Sequence, residues 1–224
     1  MDHASKNRLT ERQLPLFPGD TLFDRVARTV CRAGCLPRKE LYESWEVARR
    51  VRRRFRGGRI VDLACGHGLL AYLLLLLDDT SPAAIGVDRR LPGSATRLAE
   101  ALEESWPRLR GRVTLLQADL ESVPLDRNDL IVSAHACGGL TDLVLERAVA
   151  AAARVALLPC CHDLDRGDTG DLQGWLDGPT AMDVMRAVRL KAAGYRVTTG
   201  QIPGDITPKN RLLLAEPPGE RTGA

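Results

Sequence analysis

Residues 59–70 read Arg-Ile-Val-Asp-Leu-Ala-Cys-Gly-His-Gly-Leu-Leu and predict a buried strand, a glycine turn and the start of a helix. The strand is a short apolar run with one acid, Asp62, near its end. Gly66 and Gly68 let the backbone bend where side chains would obstruct it, and an almost wholly apolar helix follows to Leu77. Such a turn brings backbone N–H groups and a helix N-terminus close to a ligand. A tight structural turn without a ligand is the alternative.

Composition is that of an ordinary globular protein. The 224 residues are 44% apolar and 27% charged, which suits one sizeable α/β domain with a small appendage. The net charge of +3 is too small to demand a nucleic-acid partner. Six cysteines with no secretory signal before them favour a reducing cytosol, so we expect a cytoplasmic protein. The most apolar run is far shorter than the roughly 20 residues that span a bilayer, so no membrane partner is expected.

Four segments are predicted along the chain. Residues 1–19 mix charge, proline and scattered apolar residues, which is typical of a flexible lead-in. Apolar residues at helical spacing over residues 20–57 predict an N-terminal helical cap. Residues 58–216 form the main domain, and residues 217–224 are predicted to be a disordered tail.

Strands and helices alternate through the main domain. The strands are predicted at residues 59–63, 83–88, 112–120, 128–135, 154–159, 195–202 and 211–215. This pattern predicts an α/β, Rossmann-like fold with a seven-stranded, mostly parallel sheet and helices on both faces. In such a sheet ligands bind beyond the carboxyl ends of the strands, where the strand order reverses.

Acidic residues lie at the predicted carboxyl ends of three strands. Asp88 ends the second strand, 26 positions after Asp62, where a carboxylate is placed to accept both hydroxyls of a ribose. Asp119 follows the third strand and, with the N–H of Leu120, could receive the amino edge of a purine. His135 ends the fourth strand. This convergence is the strongest indication of a ligand site in the sequence.

An arginine-rich run precedes the first strand. It contains Arg49, Arg50, Arg52, Arg53, Arg54, Arg56 and Arg59. Arginines in the last turn of a helix complement its dipole, and a charge run is usually a solvated face. So many cations beside the glycine turn could also hold a polyanion, so RNA contact through Arg49–Arg59 is the alternative interpretation.

The order of these motifs resembles that of the class I S-adenosylmethionine-dependent methyltransferases over about residues 59–215. Residues 62–68 are similar to their first motif, residues 87–88 to their second and residues 118–120 to their third. The resemblance implies an enzyme with S-adenosyl-L-methionine as cofactor, contacted by Asp62, Ala64, Cys65, Gly66, Gly68, Asp88, Arg89, Asp119, Leu120, Ser133 and Ala134. A nicotinamide dehydrogenase is the rival for this fold. It normally has a third glycine where this chain has Ala71.

Two further motifs narrow the resemblance. Residues 135–142 read His-Ala-Cys-Gly-Gly-Leu-Thr-Asp and residues 159–162 read Pro-Cys-Cys-His. They are similar to the signatures of the eukaryotic tRNA acceptor-stem 2′-O-methyltransferases and of related uncharacterised proteins, which implies methyl transfer to RNA. The Cys/His zinc modules of those tRNA enzymes are not seen here. A small-molecule or protein acceptor, or a protein that binds the cofactor without turnover, are therefore the alternatives.

The catalytic candidates follow from this chemistry. A hydroxyl nucleophile benefits from a base, and His135 could be that base, orient the acceptor or be structural. Asp142 could orient His135 or cap a helix, and Cys161 or His162 is expected to line the acceptor pocket. Cys160, Cys161 and His162 are predicted to end the fifth strand, with Cys137 nearby, and thiolate and imidazole groups could together bind zinc. This metal site is disfavoured because adjacent cysteines of a strand point to opposite faces, so no metal is expected.

Overall fold

The computed structural model describes residues 3–134 and 136–219. Within those ranges seven strands form one sheet: β1 (Ile60–Leu63), β2 (Ala84–Asp88), β3 (Val113–Gln117), β4 (Leu130–Ser133), β5 (Arg154–Leu157), β6 (Arg196–Gln201) and β7 (Arg211–Glu216). Its α-helices are α1 (Leu22–Ala33), α2 (Arg38–Arg54), α3 (Leu69–Leu77), α4 (Ala95–Ser105), α5 (Gly139–Ala150) and α6 (Gly178–Ala192). The predicted fold class is confirmed.

The strand order is β3-β2-β1-β4-β5-β7-β6. The first five strands in this order are parallel to one another, and β7 is antiparallel to both β5 and β6. Ile60 of β1 pairs with Ala84 on one side and with Leu130 on the other. The order therefore reverses beside β1, and a crevice opens at the carboxyl ends of β1 and β4.

Two helical layers cover the sheet. Successive residues of a strand point to opposite faces, and Ile60 packs with α1, α2, α3 and α4 while Val61 packs with α5 and α6. Helix α3 is buried from Leu69 to Leu76 because it lies inside its layer, against α2, β1 and β2. This burial explains why its sequence carries no polar face.

Six of the seven predicted strands are shorter in the structure, and the third, fourth and fifth show where the differences matter. β3 begins at Val113 and ends at Gln117, and β4 begins only at Leu130, after a turn in which Asn128 donates its N–H to Asp126. β5 ends at Leu157, and Pro159 has no N–H to extend the ladder. The prediction that Cys160, Cys161 and His162 end the fifth strand is therefore wrong, because they lie in the loop beyond it.

The arginine-rich run binds within the chain. Arg52 is buried, donates to Leu74 O and Ser81 Oγ, and forms an ion pair with Asp78 at 3.0 Å. Internal bonds also engage Arg49, Arg50, Arg54, Arg56 and Arg59. From Arg52 onward the run approaches the amino end of β1, so this part lies at the edge of the sheet opposite the crevice. Arg50 instead donates to Gln201 O, at the carboxyl end of β6.

Residues 3–19 pack against the helical cap. They include a 3-10 helix, Glu11–Leu16, and bury Leu9 and Phe17. The N–H of Leu9 donates to Leu36 O at 2.8 Å. The flexibility predicted for residues 1–19 stays a prediction, and most of the predicted tail, residues 220–224, lies outside the described residues. Among the residues that the structure describes, no helix combines the length and apolarity needed to cross a membrane.

Candidate functional site

The turn after β1 has a backbone that few side chains tolerate. Ala64, Gly66 and Gly68 all have positive φ, at 60°, 54° and 78°. A Cβ at Gly68 would lie 2.6 Å from a methyl carbon of Leu115, so a larger residue would have to displace that side chain in addition to adopting a positive φ. A Cβ at Gly66 would meet nothing within 4 Å. The backbone at Gly66 therefore borders open space, where a ligand can approach it closely.

Asp88, at the end of β2, holds this turn in place. Its Oδ2 accepts the N–H of Gly66 at 2.9 Å, and its Oδ1 accepts the N–H of Arg90 at 3.0 Å. An ionised carboxylate has about four acceptor positions. Asp88 therefore fixes the turn and retains lone pairs for donors on a ligand.

Asp62, on β1, is a buried acid with an unsatisfied oxygen. It is 1% exposed, it accepts the N–H of Ala71, and its Oδ2 has no hydrogen-bond partner in the described residues. Burial, opposed by that N–H and supported by the nearby charge of Asp88, raises the pKa of Asp62 to about 8. A buried polar atom without a partner is costly, so a ligand with a donor or positive charge would be favoured here.

These groups face one cleft of about 280 Å³. Of the residues predicted to contact a cofactor, Asp62, Ala64, Cys65, Gly66, Asp88 and Ala134 line it. The cleft is bounded by the glycine turn, by the ends of β1 and β2, and by the start of the loop after β4. This is the crevice expected where the strand order of a parallel sheet reverses.

The other predicted cofactor residues lie around the cleft. Gly68 precedes α3, and Ser133 is buried with its Oγ accepting the N–H of Ala136. Arg89 donates to Asp119 at 2.7 Å in an exposed pair beside the end of β2, and Leu120 is buried next to it.

Part of the cleft wall was not predicted. It is formed by Leu36, Glu40, Ser44, His67, Leu69, Leu70 and Pro92. Ser44 could have been noticed, because it interrupts the apolar stripe of α2 made by Leu41, Ala48 and Val51. His67 shares a hydrogen bond with Ser94 at 3.0 Å, and burial lowers the pKa of its imidazole.

The residues predicted to lie beside the acceptor belong to the loops after β4 and β5. His135 lies outside the described residues, and its neighbours Ala134 and Ala136 are both buried. Cys137 and Cys161 are exposed at this edge, and the N–H of Gly138 donates to Cys161 O at 3.1 Å. The structure thus brings the two predicted acceptor-side motifs together.

Asp142 belongs to an ion-pair network. Its two oxygens accept from Arg186 at 2.7 and 3.2 Å, and Oδ1 also accepts from Arg189 at 2.6 Å. Burial acts to raise the pKa of Asp142, but the two guanidinium groups lower it below its usual value. Arg186 also donates to Asp183, which bonds His162 Nε2 at 2.9 Å. Asp142 therefore fixes α5 to α6, and through Asp183 to the loop that carries His162.

Comparisons with known proteins agree with the fold. A sequence-family model described as "Methyltransferase domain" matches residues 39–166. The glutathione S-transferase C-terminal domain-containing protein homolog of Drosophila pseudoobscura pseudoobscura is 26% identical over 199 residues, with 70% of this chain and 33% of that protein covered. The chain thus spans about a third of the length of this curated relative.

Solved structures resemble the whole chain. An O-methyltransferase family protein from Burkholderia thailandensis has a TM-score of 0.55 at 17% identity and covers 97% of this chain and 66% of its own. The S-adenosylmethionine-dependent methyltransferase SibL, in its apo form, has a TM-score of 0.54 at 20% identity, and the match covers 95% of this chain and 66% of SibL. At these identities the likeness concerns the fold.

Proposed function

Because the chain belongs to the methyltransferase-domain family, we propose that it is an S-adenosylmethionine-dependent methyltransferase. Its catalytic domain is residues 58–216, and residues 20–57 form a helical cap that supplies part of the cofactor wall. One observation carries the proposal. The unsatisfied oxygen of Asp62 belongs to a residue that lines the same cleft as Gly66 and Asp88.

The residues of the cleft fit this cofactor. Asp62 offers an unpartnered acceptor to the positively charged methionine end, and Gly66 allows close backbone approach. Asp88 has acceptor positions left for ribose hydroxyls. Asp119 and the N–H of Leu120 would receive the adenine, at the place where Arg89 now pairs with Asp119. When bound, the cofactor supplies a methyl group on a sulfonium cation.

The acceptor that we propose is a hydroxyl group. His135 would take its proton, and Cys161 and His162 would line its pocket, as the motif resemblance implies. An RNA 2′-hydroxyl is the form that this resemblance supports. The arginine-rich run adds no support for RNA, because Arg52, Arg54 and Arg59 form ion pairs within the chain at the edge of the sheet opposite the cleft. That observation favours a small-molecule or protein acceptor as the second candidate.

Labelled S-adenosylmethionine incubated with separate RNA, protein and metabolite pools tests the function. Transfer of label into one pool is expected and identifies the acceptor class. Asp88→Ala should abolish cofactor binding, whereas the control Asp20→Ala, at a fully exposed side chain, should not. Tight cofactor binding with no label in any pool would instead indicate a protein that binds the cofactor without turnover.

His135→Ala tests the base. Cofactor affinity should stay unchanged while transfer of label is lost, because the base acts on the acceptor and not on the cofactor. His3→Ala is the matched control, at an imidazole on the surface of the cap region. Normal turnover by His135→Ala would rule out the assignment.

A further inference from the structure

Three thiols converge at the edge of the sheet beyond β4 and β5. They belong to Cys137, which precedes α5, and to Cys160 and Cys161 in the loop after β5. All three sulfur atoms lie within 4.8 Å of one another, and those of Cys137 and Cys160 are 3.2 Å apart. We propose that these three cysteines form a zinc site on the acceptor side of the cofactor cleft.

The backbone explains why the thiols meet. Ser133 of β4 and Leu157 of β5 are paired in the parallel ladder, and Cys137 and Cys161 each follow this pair by four residues. The N–H of Gly138 donates to Cys161 O, which joins the two loops beside the thiols. Because the cysteine pair lies beyond the strand, the alternation of side chains along a strand does not separate its two sulfur atoms.

The separations of the sulfur atoms suit a thiolate-bound metal. Zinc binds thiolates at about 2.3 Å in a tetrahedron, which places two sulfur atoms roughly 3.8 Å apart. The sulfur–sulfur distances lie between 3.2 and 4.8 Å, on either side of this value. Small rotations of the cysteine side chains would therefore bring all three sulfur atoms to binding distance of one ion. In the described part of the chain the group within 4.8 Å contains only these three ligands, which leaves a fourth position for water or an acceptor atom.

Nearby charge favours the thiolate form that a metal needs. The ammonium of Lys209 lies 3.9 Å from the sulfur of Cys161. Zinc would further stabilise all three thiolates, since metal binding releases their protons.

A neighbouring histidine carries a second sign of a ligand. The side chain of His162 is 2% exposed, and its Nδ1 has no hydrogen-bond partner in the described residues. Its Nε2 is held by Asp183, in the carboxylate–histidine arrangement that supports ligands in zinc sites. Directly after Cys161 in the chain, this loop therefore holds a buried imidazole nitrogen with an open hydrogen-bonding position.

The site lies next to the proposed acceptor. Ala134 lines the cofactor cleft three residues before Cys137 in the same loop. An ion at the thiols would face the acceptor edge, and this placement alone rests on the proposed function. The metal site itself requires only the three cysteines.

Cobalt titration tests the site directly. The full chain, prepared anaerobically under reducing conditions and stripped with a chelator, should bind one equivalent of Co²⁺. Thiolate-to-cobalt charge-transfer bands should appear, and added Zn²⁺ should remove them. Reactivity of three thiols towards a disulfide reagent should be lost when zinc binds. Absence of these bands, or thiol reactivity unchanged by zinc, would overturn the proposal.

Serine variants locate the ligands. Cys137→Ser and Cys161→Ser should each weaken metal affinity at least about tenfold. The control Cys31→Ala removes a buried thiol of α1 and should leave the affinity unchanged. Circular dichroism and cofactor affinity verify that each variant is folded. Metal binding that survives both serine substitutions would overturn the assignment, whereas a chain that binds zinc but transfers no methyl group would refute only the proposed function.

Discussion

At the scale of single residues, Asp62 carries the most information because the protein holds it largely neutral at neutral pH. Its burial raises the pKa of the carboxyl to about 8, and one oxygen of this cleft-lining residue has no hydrogen-bond partner in the described residues. A cation bound there would be matched by the ionised form. Binding of a positively charged cofactor must therefore release a proton wherever Asp62 is protonated beforehand.

Cofactor affinity should consequently increase between pH 6 and pH 8. The increase approaches about tenfold per pH unit well below the raised pKa of Asp62 and levels off above it. Calorimetry in buffers of different ionisation enthalpy would measure the released proton. Asp62→Asn should bind more weakly and without this pH dependence. A flat profile for the unsubstituted protein would contradict a contact between Asp62 and the cation.

The same acid makes stability depend on pH. Between about pH 4 and pH 8 the unfolded chain loses the Asp62 proton while the folded chain keeps it, so the free energy of unfolding decreases as pH rises. Relative to the unsubstituted protein, Asp62→Asn should gain up to ~1.4 kcal/mol per pH unit over this range. Urea unfolding at pH 5 and pH 8 measures the gain, with Asp20→Asn as the exposed control. A gain equal at both pH values would exclude this explanation.

At the scale of elements, the arginine-rich run shows how one helix is fixed to the sheet. Arg52 of α2 and Asp78 after α3 are both buried and paired, so each compensates for the other's charge. Arg59 pairs with Asp129 at the start of β4. The charges that suggest an anion-binding surface therefore serve to attach α2 to its neighbours.

Removing Arg52 should expose this role. Arg52→Ala removes the buried partner of Asp78, which keeps Arg56 at 3.6 Å and the N–H groups of Gly57 and Thr80, and should lower the free energy of unfolding by about 3 kcal/mol. Arg53→Ala, the next residue in the same helix, is exposed and should change it by less than ~0.5 kcal/mol. Thermal or urea unfolding would distinguish the two variants. Equal losses would mean that the buried pair has no special importance.

Most of the fold could be predicted because strands, helices and turns are encoded by residues close together in the sequence. Apolar periodicity and the glycine turn identify β1 and α3, and acids at strand ends identify the crevice once the sheet is assumed to be parallel. The wall supplied by α2 was missed because Ser44 looks like any polar helix residue until its neighbours in space are known. The partners of the arginines were missed for a related reason. Arg54 pairs with Glu216, 162 positions away.

The candidate site was predicted less completely on the acceptor side. The proposed roles of His135, Cys161 and His162 stay predictions, and His135 is outside the described residues. The sequence disfavours a metal at the thiol cluster only if Cys160 and Cys161 continue the alternation of the fifth strand. β5 ends at Leu157, and beyond the end of a strand this alternation no longer separates adjacent side chains.

At the scale of the whole molecule, residues 3–19 stabilise the cap that forms the cleft wall. The N–H of Leu9 donates to Leu36 O, and Leu36 lines the cleft. The side chain of Phe17 is buried, and its carbonyl oxygen accepts from the guanidinium of Arg28. Loosening this segment should therefore weaken both the fold and cofactor binding.

Phe17→Ala should lower the free energy of unfolding by about 3–5 kcal/mol, since the side chain is 2% exposed. Leu16→Ala, at a side chain with 37% exposure, is the matched control and should cost less than ~1 kcal/mol. Unfolding and cofactor binding measured on both variants would check this. A loss no larger for Phe17 than for Leu16 would show that the segment contributes little.

The strand order also determines when each strand can pair during synthesis. β1 is the first strand to be made, but one of its edges stays unpaired until Leu130 has been synthesised, 70 residues after Ile60. Until β4 emerges from the ribosome, the glycine turn is present but the wall at Ala134 is missing. Non-local pairing of this kind slows folding and leaves an unpaired strand edge open to misassembly. The proposed cofactor cleft is therefore complete only in a chain that has been made as far as Ala134, just beyond β4.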